Sequence, residues 1–102
     1  MSKPRYPWWG YVKAIIRQYP SLKGKEVSGI SLREKKEVEA SIAETERMRN
    51  GSERLAVVDM VFWANTHTLS GAALKVACHY DTARHWHTEF ICCVAKNFGL
   101  LD

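Results

Sequence analysis

Apolar residues recur at helical spacing in five stretches of the chain, and no stretch alternates as a strand would. Trp8, Val12, Ile15, Ile16 and Tyr19 share one face between Pro7 and Pro20, with Lys13 and Arg17 on the other. That spacing predicts an amphipathic helix opened by Pro7 and stopped by Pro20. Residues 20–30 contain Pro20, Gly24 and Gly29 with little periodicity and read as a loop. Ser31-Leu32-Arg33-Glu34 has the form of a capping box, and the helix that follows runs to Asn50-Gly51, a left-handed cap signal. Its inner stripe is thin: Val38, Ile42, Thr45 and Met48. The many charges around that stripe read as a solvated face supported by ion pairs. Ser52 is placed to cap a third helix reaching Trp63, with Leu55, Val58 and Phe62 inward. Thr68 is placed to cap a fourth, from Leu69 to about Val76. A fifth runs from Tyr80 to Phe98 and is closed by Gly99. The expected fold is all-α.

Composition supports this picture without changing it. The chain has 102 residues, enough for a single domain, and is 46% hydrophobic and 25% charged, as a globular protein is. Within that domain, residues 1–30 are the basic amino-terminal helix and loop, 31–63 a helical support, and 68–99 a helix-turn-helix. No apolar run is long enough for a membrane span or a secretory signal, so no membrane is expected. Three cysteines, two of them adjacent (Cys92 and Cys93), are a poor disulfide framework. Free thiols in a reducing cytoplasm are the expectation.

Charge does change the picture. The formal net charge is +4, which permits an anionic partner. Residues 1–25 hold six bases (Lys3, Arg5, Lys13, Arg17, Lys23 and Lys25) and no acid, whereas residues 55–102 hold three bases and four acids. The basic character is therefore an amino-terminal property.

The chemistry concentrates between Thr68 and Val94. Leu69, Ala72, Ala73 and Val76 give a short helix an apolar face with small residues at its middle, as a steep crossing requires. Cys78 supplies a small hydrophobe in the turn. Ala83, Trp86, Phe90 and Val94 form the buried stripe of the next helix, and Tyr80, Asp81, Arg84, His85 and Thr88 its outer face. A positioning helix, a tight turn and a longer helix with a polar outer face make a helix-turn-helix pattern.

Thr68-Leu69-Ser70-Gly71-Ala72-Ala73, followed by Thr82-Ala83-Arg84-His85-Trp86-His87, resembles the helix-turn-helix of sigma-factor region 4. The opening Tyr6-Pro7-Trp8-Trp9-Gly10-Tyr11-Val12, Arg47 with Asn50-Gly51-Ser52-Glu53-Arg54-Leu55, and the closing Val94-Ala95-Lys96-Asn97-Phe98-Gly99 resemble phage transcriptional regulators of the RinA type. The resemblance implies an activator of phage late genes that binds promoter DNA in the cytoplasm of a bacterial host. By position it implies groove contacts from Tyr80, Asp81, Thr82, Arg84 and His85. The sequence departs from the region-4 pattern at His79, where serine or threonine usually caps the second helix. Asp81 is the alternative cap, and it would shift the register.

Other chemistry is poorly supported. Cys78, His79, His85, His87, Cys92 and Cys93 are enough ligands for zinc, but they lack Cys-x-x-Cys or His-x-x-x-His spacing. A Cys/His hydrolase would need a nucleophile beside a base in a cleft, and no motif supplies one. The reading is a non-enzymatic, sequence-specific regulator of transcription with no catalytic residues, metal or cofactor. Its partner is double-stranded DNA. Arg84 would reach guanine edges, His85 a base or a phosphate, Thr82 and Thr88 phosphate oxygens, and Lys75 the backbone. Residues 1–25 would add sequence-independent attraction. The weak charge of the reading half makes a homodimer, or help from bacterial RNA polymerase, a natural supplement. Histidines 79, 85 and 87 around the reading helix, above all His85, would make binding tighten as pH falls from about 8 to 6. The alternatives are a small terminase-like packaging subunit and a protein-interaction module docking on RNA polymerase.

Overall fold

The computed structural model describes residues 6–100, which form five helices and no strand. Lys3 and Arg5 lie outside the described residues. Helix α1 (Trp9–Leu22) buries Val12, Ile15, Ile16 and Tyr19 of the expected stripe and adds Leu22, while Trp8 is half-buried at the N-cap. Pro20 does not stop it. Proline lacks an N–H and would leave the carbonyl four residues earlier without a partner. That carbonyl belongs to Ile16, and it accepts a hydrogen bond from the Trp63 indole Nε1 at 2.8 Å. The helix therefore continues past Pro20 to Leu22.

Helix α2 (Gly29–Glu46) begins two residues before the expected capping box. The box does not form, because Glu34 turns inward and accepts a hydrogen bond from the Tyr11 hydroxyl at 2.8 Å. Burial and this carboxylate both raise the Tyr11 pKa. The inner stripe is more polar than expected: Glu34, Val38, Ser41 and Thr45 are buried, while Met48 is exposed. Ser41 and Thr45 satisfy their hydroxyls by donating 2.8 Å bonds to the carbonyls of Glu37 and Ser41.

The second helix ends four residues before the Asn50-Gly51 signal. Asn50 takes a left-handed conformation and turns the chain, and Gly51 opens α3 (Gly51–Val58). Ser52 is therefore not the cap. A Cβ at Gly51 would lie 2.6 Å from the Glu46 carbonyl oxygen, so only glycine allows this close return. Helix α3 passes into a π-helical turn, Asp59–Trp63, rather than running straight to Trp63. This turn carries Phe62 into the core and the Trp63 indole onto Ile16.

Helices α4 (Leu69–Lys75) and α5 (Tyr80–Asn97) complete the chain. The fifth helix packs against all four others. Its buried surface accordingly includes Ile91 and Ala95 besides the predicted Ala83, Trp86, Phe90 and Val94. Its end is a Schellman cap: Leu100 N–H donates to the Ala95 carbonyl and Gly99 N–H to Lys96. Arg33 adds a 2.8 Å bond to the Phe98 carbonyl, with its guanidinium 4.6 Å from the Phe98 ring centroid. No described helix is long and apolar enough to cross a membrane.

Candidate nucleic-acid interface

Thr68 caps α4 as expected, its hydroxyl accepting from the Gly71 N–H at 3.2 Å. Ala72 and Ala73 are buried against Ala83 and Trp86, and Val57 of α3 closes this second, smaller core. Small residues at the crossing let α4 seat closely on α5. The four residues between the helices, Val76 to His79, form the turn. Ala77 takes a positive φ of 58° there, a place that glycine would occupy without strain. Cys78 packs at the edge of this core.

The cap position of α5 is His79, in extended conformation with no side-chain cap bond. Asp81 does not cap. It lies in the first turn, where its charge favours the positive end of the helix dipole. The register therefore begins at Tyr80.

Tyr80, Asp81, Arg84 and His85 are exposed, Thr82 and Thr88 are half-buried, and Lys75 is exposed at the end of α4. Asp81, Arg84, His85 and Thr88 line a shallow open depression of about 300 Å³. Trp86, on the opposite side of α5, is only 7% exposed. Thr82 lies on the α3 side of this face and Tyr80 on the α1 side, as 100° per residue requires.

The outer face supplies its own counter-charges. The Arg84 guanidinium lies 3.7 Å from Asp81, with both side chains largely exposed. His85 Nε2 lies 3.2 Å from Glu89 Oε1 while its side chain stays 70% exposed. The same carboxylate oxygen accepts from Arg54 at 2.8 Å, and the Arg54 guanidinium stands 5.6 Å from the Trp86 ring centroid. Nothing in the sequence around Arg54, on α3, marks its contact with Glu89 on α5. Its partner Glu89 lies one turn beyond His85, a spacing that does mark an ion pair.

His87 departs from expectation. It stacks on Phe62 with centroids 4.9 Å apart and planes 4° from parallel, so it does not join His85 on the outer face. Burial, then the charges of Lys13 and Arg17, lower its pKa to about 4. The thiols are also set apart from chemistry: burial above all pushes Cys93 up to about 11 and raises Cys92. Cys93 instead donates to Glu44, which Asn97 also binds at 2.8 Å across the α2–α5 contact. Among the described residues no three His, Cys, Asp or Glu side chains converge as a metal site would need. No family model matches this chain, and no curated protein or solved structure resembles it significantly.

Proposed function

We propose that this chain is a sequence-specific DNA-binding regulator of transcription, without enzymatic activity, acting in a bacterial cytoplasm. The observation that carries the reading is the α4–turn–α5 unit. A capped short helix seats a longer one through Ala72, Ala73, Ala83 and Trp86, while Tyr80, Asp81, Arg84 and His85 face outward from its first two turns. Helices presented this way enter the major groove by their amino-terminal end. Arg84 suits guanine edges, and Thr82, Thr88 and Lys75 suit the backbone. The phage late-gene activator reading rests on the sequence resemblance, and RNA polymerase as a second partner on the weak charge of the reading half. A homodimer would double a contact surface that is weakly charged by itself.

A protein-docking role is the second reading, favoured by the 82% exposed Leu74 on α4 and the half-exposed Tyr80 at the start of α5. Selection of binding sites from a pool of random duplexes, followed by salt titration, separates the two. A regulator enriches one sequence and loses affinity steeply with salt. An apolar docking module enriches none, and salt hardly affects its contact with polymerase.

A further inference from the structure

Lys13 and Arg17 stand one turn apart on α1, about 6 Å along its axis. The Arg17 guanidinium lies 5.6 Å from the Phe62 ring centroid, and Phe62 in turn stacks on His87 of α5. Tyr80, Arg84 and His87 fall on one line along α5, so these contacts bring the cationic face of α1 to that side of the reading helix. The two cations have no ion-pair partner among the described residues. Together with burial, the larger cause, they lower the pKa of the histidine between the helices to about 4, so that ring adds no charge near neutral pH.

Solvated lysines and arginines are ordinary on an amphipathic helix. What distinguishes this pair is its place, beside a helix whose outward Arg84 and His85 are matched by Asp81 and Glu89. Phosphates recur every 3.4 Å of axis rise on each DNA strand, so two cations about 6 Å apart can address neighbouring phosphates.

We infer that Lys13 and Arg17 hold the sugar-phosphate backbone of the duplex alongside the groove entered by α5, independently of base sequence. The inference rests on the DNA-binding reading above. It makes α1 a strut for affinity, whereas α5 supplies the choice of sequence.

The test compares the parent with Lys13→Gln/Arg17→Gln and with the charge-retaining Lys13→Arg/Arg17→Lys. Each is titrated with 30-base-pair duplexes, one of selected and one of random sequence, over a range of salt. The glutamine pair should weaken both duplexes alike, on the order of tenfold, and flatten the log–log salt slope by roughly 1.8, or 0.9 per phosphate contact. The charge-retaining pair should keep the parent's slope. If the glutamine pair melts early, Lys13→Gln alone, which leaves Arg17 on Phe62, should flatten the slope by roughly 0.9. An unchanged slope, or a loss confined to the selected duplex, overturns the inference and leaves the DNA reading standing. A parent that binds no duplex at all sinks the DNA reading, and the inference with it.

Discussion

The two flanks of α5 are charged in different ways. Towards α3, Arg54 and His85 share the Glu89 carboxylate, and the Arg54 guanidinium stands by the Trp86 ring. Towards α1, Lys13 and Arg17 meet a neutral His87 stacked on Phe62, with no acid in ion-pair contact among the described residues. The first flank completes its electrostatics within the protein. Its ion pair is partly exposed, so it adds little stability and mainly fixes side-chain positions. The second flank leaves its charge unmatched by any acid among the described residues. A helix with a nearly neutral outer face can thus serve an anionic partner if a neighbouring helix supplies the attraction.

The largest expected effect tests whether the flanks share one seat. Trp86→Ala empties the small core under α4 and removes the surface beside Arg54, at a cost of about 3–5 kcal/mol. With typical domain stability at about 5–15 kcal/mol, a thermal melt should show a large fall. A small shift would mean that α4 and α5 do not depend on this contact.

Acid should break the α1 flank first. His87 is neutral in the fold down to pH about 4, whereas an unfolded histidine takes its proton near pH 6.5. Between those values the unfolded state binds the extra proton. Stability is therefore fully present above about pH 6.5 and falls as pH drops towards 4, by on the order of 2 kcal/mol after allowance for screening. His87→Phe keeps a ring for the Phe62 stack and carries no proton. Denaturant unfolding across that range should show a flatter pH dependence for this variant. Parallel curves for parent and variant would contradict the placement of His87.

A smaller effect sharpens the contrast. Glu89→Gln removes the acid that matches Arg54 and His85, making the α3 flank resemble the α1 flank. Duplex affinity should rise by roughly threefold at low salt and lose that gain at high salt. Unchanged affinity would place the α3 flank away from the nucleic acid.

Most of the fold was legible in the chain. Apolar spacing located all five helices, and the Thr68 cap and the inward Trp86 follow from short-range rules. The misread details depend on distant partners. Pro20 looks like a stop until Trp63, far along the chain, takes the Ile16 carbonyl. Ser31 and Glu34 look like a cap until Tyr11 claims the glutamate. The candidate site was legible along α5 itself, because one helix fixes its own faces. Its flanks were not, since the placement of Lys13, Arg17 and Arg54 depends on how separate helices pack. The basic amino terminus was visible as composition, but not its contact with Phe62 and through it His87.

The measurement that bears most directly on DNA reading by α5 is a repeat of the site selection with Arg84→Ala. This residue is exposed on the outer face, so its loss should leave the fold intact. The account predicts a loss of about 1–3 kcal/mol on the parent's site and a relaxed preference at one base position, with the rest of the selected sequence retained. A variant that selects the same sequence and binds it as tightly as the parent would contradict it.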